Sequence, residues 1–247
     1  MENDKAGGSA RFVTPANPVE DQGPAALLAA GHHCFLGVDL LVGKGVLVPR
    51  EETEILGREV LALLRARSHE EPERELRMID MGCGSGNLAC TAALGVPSVR
   101  VWASDTSDAC VLLTRANVAR LRLEDRVVVA QGDLFVSLSG EGLEGTMDLV
   151  VMNPPYIPSH VLEASLAGLL QHEPRAAFDG GPYGITILTR LLQEAPAFLN
   201  QEGHLLFEFG LGQAGLVRAL VERNRRYSTI RFVGDAQGDP RVAVLKL

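Results

Sequence analysis

At 247 residues, 46% of them hydrophobic, and with a mean hydropathy of +0.10, the chain has the size and apolar content of one globular domain rather than a disordered segment. A formal net charge of −8 argues against a nucleic-acid partner held mainly through phosphate contacts. No stretch reaches the roughly eighteen uninterrupted apolar residues of a membrane-spanning helix, and the start MENDKAGGSARF lacks the basic-then-apolar order of a signal peptide, so the expected location is the cytoplasm. Cys34, Cys83, Cys90 and Cys110 form no CxxC pair, which speaks against a disulfide framework or a metal site, and no metal is expected.

In chain order, residues 1–24 are rich in Gly, Pro, Ala and polar side chains and read as a flexible leader. Residues 25–50 suggest a short helix and two short strands around Gly43-Lys44-Gly45. A helix follows over about 52–66, with Ile55, Leu56, Val60, Leu61 and Leu64 on one face, and the charged stretch 68–75 reads as a connector. Apolar strand-like runs then appear at 76–81, 99–104, 126–131, 147–152, 204–209, 229–234 and 241–247, with helical patterns at 87–94, 107–121, 184–199 and 213–224. Continuous apolar strands alternating with helices predict an α/β fold with a mostly parallel sheet covered on both faces. Gly238-Asp239-Pro240 signals a turn that joins the last two strands as an antiparallel pair.

Asp80-Met81-Gly82-Cys83-Gly84-Ser85-Gly86 stands directly after the first of these strands and before a helix. Its glycines permit a tight turn and close approach of backbone amides to a ligand. The spacing is GxGxG, and Asp105 lies 19 residues after Gly86 at the end of the next strand, where a carboxylate can accept both ribose hydroxyls. Together they point to an adenosine-containing cofactor. Gly132-Asp133-Leu134-Phe135 ends the third strand, so that Asp133 could accept from an adenine amino group while Leu134 or Phe135 covers the ring.

Asn153-Pro154-Pro155-Tyr156 ends the fourth strand, in the crevice where open α/β sheets bind ligands. Two prolines fix the backbone and remove two N–H donors. The Asn153 side-chain oxygen and the Pro154 carbonyl could then receive the two hydrogens of an NH₂ group, aiming the nitrogen lone pair at an electrophile, with Tyr156 flat against a planar group. An amide or aromatic amine is a poor nucleophile, so positioning and hydrogen bonding supply the catalysis.

From about residue 35 to the C-terminus the chain resembles the HemK/PrmC family of protein-(glutamine-N5) methyltransferases. The segments that carry the likeness are FLGVDLLVGKGVLVPREETEIL, IDMGCGSG, ASDTSDACVLLTRANVARL, GDLF, DLVVMNPPYIP, HEPRAAFDGGPYGI and LLFEFGLGQ. The resemblance implies a class I S-adenosylmethionine-dependent methyltransferase fold: Rossmann-like, seven-stranded and mostly parallel, with an antiparallel C-terminal strand. It divides the chain into a leader (1–24), a short helix, hairpin and helix segment (25–75) and a methyltransferase catalytic domain (76–247). It implies S-adenosylmethionine as cofactor, with Asp80, Gly82, Cys83, Gly84, Gly86, Asp105, Asp133, Leu134 and Asn153 on its side. Asn153, Pro154, Pro155 and Tyr156 would grip the acceptor amide, that of the GGQ glutamine of a release factor. Arg50, Thr53 and Glu54 match the family's PRPETE-like segment, and Glu173 and Arg175 its EPR segment, both on the substrate side. Two departures stand out: only about thirty residues precede the match, where the family carries a helical docking domain, and Glu51 replaces the second proline of the PRPETE-like segment. The acceptor that the resemblance implies is a release factor or another glutamine-bearing protein. Alternatively it is a small amide, amine or guanidine metabolite, or a carrier-bound intermediate. An adenine-N6 acceptor on nucleic acid is the reading that the net charge disfavours.

Overall fold

The computed structural model describes residues 23–165 and 172–247, so the leader reading of residues 1–24 falls, through residue 22, outside the described residues. Helix α1 (Pro24–Ala30) closes on Gly31 in the left-handed region and leads into an antiparallel hairpin of β1 (His32–Phe35) and β2 (Val38–Leu41). The hairpin turns on Leu36-Gly37, both at positive φ, and not around Gly43-Lys44-Gly45 as the sequence suggested. A two-residue turn with both φ values positive matches the twist of paired strands. Leu36 tolerates that backbone because its N–H donates to Glu54 Oε1 at 3.2 Å and its side chain lies over Gly57, where an added Cβ would sit 2.6 Å from Leu36 Cδ1.

Helix α2 (Glu51–Glu70) is longer than the expected 52–66 and absorbs the start of the presumed connector. Its last turn carries Arg67, which favours a helix C-terminus and also donates to the buried Asp148 at 2.9 Å. Then follow β3 (Leu76–Met81), α3 (Asn87–Gly95), β4 (Val99–Asp105), α4 (Asp108–Arg120), β5 (Val127–Gln131), a 3₁₀ turn at Leu134–Leu138 and β6 (Met147–Met152). Helix α5 (Ser159–Ser165), which the sequence reading did not anticipate, precedes α6 (Thr186–Glu194). The helix expected over 184–199 is shorter because Pro196 lacks an N–H, and the chain tightens into a 3₁₀ turn at Ala195–Ala197. β7 (Leu199–Glu208), α7 (Ala214–Asn224), β8 (Thr229–Gly234) and β9 (Pro240–Lys246) complete the chain.

The seven-stranded sheet runs β5-β4-β3-β6-β7-β9-β8, all parallel except β9, which is antiparallel to both neighbours. Alternate residues of each inner strand enter opposite cores. Met78, Val101, Leu149 and Val151 pack with α2, α3 and α4, while Ile79, Trp102, Val150 and Met152 pack with α6 and α7. Burial on both faces explains why these strands are apolar without alternation. The chain leaves β3 toward β4 and β5 and later returns to its other side as β6, so a crevice opens beyond the carboxyl ends of β3 and β6. No described helix is long and apolar enough to cross a membrane.

Candidate active site

A cavity of about 430 Å³ fills that crevice. One half is built from the loops after β3, β4 and β5. Gly82, Gly84 and Gly86 have φ of +66°, +57° and +77°, a backbone that side chains with a Cβ rarely adopt. Gly84 faces open space, with nothing nearer to an added Cβ than Val46 Cγ1 at 4.0 Å, whereas a Cβ on Gly86 would sit 2.8 Å from Thr114 Cγ2. Gly82, Cys83 and Gly84 therefore line the cavity, while Gly86 serves the turn into α3. The Asp105 carboxylate enters from the end of β4, steadied by Gly84 N at 3.0 Å and Ser107 N at 2.9 Å, one on each oxygen. Asp80 is almost fully buried at the cavity floor and accepts from Ala89 N at 2.9 Å. Burial pushes its carboxyl up from the usual 3.8 to about 7; the Ala89 amide opposes the rise and the Asp105 charge adds to it.

Asp133 and Leu134 also line the cavity. Arg190 Nη1 reaches both Asp133 oxygens, at 3.0 and 2.9 Å. Phe135 instead turns into the core and stacks on Phe198 with ring centroids 4.7 Å apart, so of the two candidates for covering a ring only Leu134 faces the cavity. Among the described residues, Asp80, Asp105, Asp133 and Asp179 are the charged side chains of the lining, with no lysine or arginine beside them. Arg190 pairs with Asp133 and Arg175 with Asp179, so Asp80 and Asp105, held by backbone amides, are the lining acids without a cationic partner among the described residues, and the balance of charge favours a cationic ligand over a phosphate. S-adenosylmethionine, with its sulfonium, ammonium and adenosine, suits this cradle of open glycine backbone, strand-end carboxylate and acidic floor. A pyrophosphate-bearing dinucleotide does not.

The other half is the acceptor side. Asn153 and Pro155 line it together with Thr53, Leu47, Pro49, Pro174, Ala176 and Ala177. Asn153 Nδ2 donates to Thr53 Oγ1 at 2.9 Å, the Thr53 hydroxyl donates to Glu208 Oε2 at 2.8 Å, and the Tyr156 hydroxyl donates to Glu208 Oε1 at 3.1 Å. Tyr156 is thus tied inward and does not line the cavity; burial, with the Glu208 charge beside it, pushes its phenol up. Pro154 is buried beneath the turn. The segment 178–184 lies directly on this turn. A Cβ on Gly180 would sit 2.7 Å from the Pro155 carbonyl, and one on Gly184 2.3 Å from that of Tyr156, so glycine is what lets the two strands of chain touch.

Four residues expected on the substrate side stand back from the cavity. Glu173 is buried and accepts from Val48 N at 2.9 Å and from the Arg50 guanidinium, clasping segment 48–50 to segment 173–175. Glu54 serves the Leu36 turn and Arg58, and Arg175 reaches outward to Asp179 and Glu163. Thr53 alone of that group lines the cavity. Glu208 is the residue that sequence reasoning missed. Its signal was present, a lone acid inside the apolar run LLFEF. Burial pushes the thiols of Cys90 and Cys110 up to about 12, and that of Cys83 upward too, which leaves no activated thiolate nucleophile among them.

The sequence profile described as "Methyltransferase small domain" matches residues 61–182. The release factor glutamine methyltransferase of Rhodopirellula baltica is 35% identical over 221 residues, covering 89% of this chain and 72% of that one. The protein of the same description from Gloeobacter violaceus is 33% identical over 226 residues, covering 92% and 75%. Among solved structures, the release-factor-specific protein-(glutamine-N5) methyltransferase of Alicyclobacillus acidocaldarius superposes with a TM-score of 0.50 at 25% identity, covering 83% of this chain and 97% of that one. Identity at this level, spread over nearly the whole chain and joined to the same fold, places the chain in the family of S-adenosylmethionine-dependent release factor glutamine methyltransferases.

Proposed function

We propose that the chain methylates the side-chain amide nitrogen of a glutamine carried by a release factor. The observation that carries this reading is the cavity-lining Asn153, whose side-chain nitrogen is engaged by Thr53, which leaves its oxygen to accept from a substrate NH₂. The cofactor supplies a methyl group already activated by the sulfonium. The chain's own work is then to hold and orient. Asp105 suits the ribose hydroxyls, Asp80 the cationic end and Leu134 the base. Asn153 Oδ1 and the Pro154 carbonyl are suited to take the two amide hydrogens, drawing electron density toward the nitrogen and fixing its lone pair in line for attack. The acceptor-side wall of Leu47, Pro49, Pro155, Pro174, Ala176 and Ala177 is apolar, which suits the two methylenes of a glutamine arm better than a charged metabolite.

The test is transfer of label from methyl-labelled S-adenosylmethionine to a purified release factor, to the same factor with its GGQ glutamine replaced, to a metabolite extract and to nucleic acid. Label on the intact release factor alone supports the reading. Label on the metabolite or nucleic-acid pool, with none on the release factor, overturns it.

A further inference from the structure

We infer that Glu208 is a positioning residue for the acceptor site, fixing through Thr53 which end of the Asn153 side-chain amide faces the cavity. The four side chains come from three places far apart in the chain: Thr53 from α2, Asn153 and Tyr156 from the turn after β6, and Glu208 from the last residue of β7. Glu208 is nearly fully buried and makes no contact with the cavity itself. Its position is explained by what it accepts.

The logic is one of counting donors. Ionised, Glu208 can only accept, and Thr53 and Tyr156 each have one hydroxyl hydrogen. Both hydrogens are committed to Glu208, one to each oxygen. The Thr53 oxygen is left with lone pairs alone, so only the NH₂ end of Asn153 can meet it. The Asn153 oxygen must then point the other way, as an acceptor for a substrate NH₂. Reversed, the amide would set NH₂ against NH₂ and repel the acceptor. Burial pushes the Glu208 carboxyl upward and Glu52 adds to that, while the Thr53 and Tyr156 hydroxyls and the Arg241 charge oppose it. Arg241 Nε is itself buried, with no hydrogen-bond partner among the described residues.

The consequence for turnover rests on the amide-methylation reading; the orientation of Asn153 does not. Two measurements therefore go together. In ¹⁵N-labelled protein the Asn153 side-chain NH₂ resonances are identified by their loss in Asn153→Ala. We expect Thr53→Val and Glu208→Gln to move them and speed their exchange, and Thr53→Ser to return them. In steady-state assays Thr53→Val should lower kcat by about 10- to 100-fold, the scale of losing one preorganised polar contact, with acceptor KM and cofactor Kd held within about three-fold. Thr53→Ser should recover most of the loss, and Glu208→Gln should fall between, because its amide can present either its oxygen to Thr53, which keeps the native order, or its NH₂, which releases the threonine hydrogen toward Asn153. Resonances that stay put in both Thr53→Val and Glu208→Gln overturn the inference. So does an unchanged kcat in a protein whose resonances have moved. A wild-type chain that methylates no amide sinks the functional reading instead, and the resonances still decide the orientation.

Discussion

Replacing Asp80 with asparagine offers a quantitative check on the acidic floor of the cavity. The wild-type carboxyl titrates near 3.8 in the unfolded chain and near 7 in the folded one, because folding buries it beside Asp105. A carboxyl whose folded pKa is raised binds its proton more tightly in the native state. Its contribution to stability is thus fully present below the unfolded value and is lost as pH rises toward the folded value. Each pH unit in that window corresponds to about 1.4 kcal/mol, so between pH 5 and pH 8 the ligand-free wild type should lose roughly 3 kcal/mol that Asp80→Asn does not lose. Asparagine keeps an oxygen for the Ala89 amide and cannot ionise, so the backbone contact survives the change. The measurement is urea unfolding of both proteins at pH 5, 6, 7 and 8, read as the difference between them. That difference should grow in favour of the variant as pH rises to about 7 and then level off. A flat difference across the range would show that Asp80 ionises normally, and the argument from its burial would fail.

Three further outcomes are expected. Asn153→Ala should abolish methyl transfer while thermal unfolding stays near that of the wild type; an active variant would rule out the amide grip. Asp105→Ala should weaken cofactor binding by about ten-fold or more in calorimetric titration, the order expected for lost charge-assisted hydrogen bonds. Gly184→Ala combines a backbone at φ +71° with a Cβ 2.3 Å from the Tyr156 carbonyl, so it should cost about 2–4 kcal/mol in chemical denaturation and lower kcat more than it weakens cofactor binding. A variant as stable and active as the wild type would mean that the 178–184 segment does not brace the turn.

The parallel core was legible because strands such as Met147–Met152 are buried at every position and so carry no polar residue to blur the pattern, apart from Asp148. Asp148 survives there because Arg67, Arg74, Asn200 and the Arg77 amide satisfy it, partners no local pattern announces. The glycine loop and Asp105 were legible for a similar reason: turn chemistry and a strand-end acid are local signals. The acceptor side was not. Tyr156 looks like a recognition surface when read with its neighbours, yet its hydroxyl is spent on Glu208, 52 residues away. Arg50 and Glu173 look like ligands for a substrate but bond each other across 123 residues. Short elements were the other blind spot. The seven described residues of α5 carry too little apolar periodicity to register.

The clasp between Val48, Arg50 and Glu173 also bears on the order in which the site can be assembled as the chain is made. The loops that cradle the cofactor draw on residues 80 to 134, a short span of sequence. The wall facing the acceptor needs Glu173, which lies 125 residues beyond Val48, and its hydrogen-bond chain needs Glu208, 155 residues beyond Thr53. Contacts of such separation repay their loop-closure entropy only once most of the chain is in place. A chain that stops short of Glu208 lacks the carboxylate that takes the Thr53 hydrogen, so the device that aims Asn153 is completed only with the last quarter of synthesis.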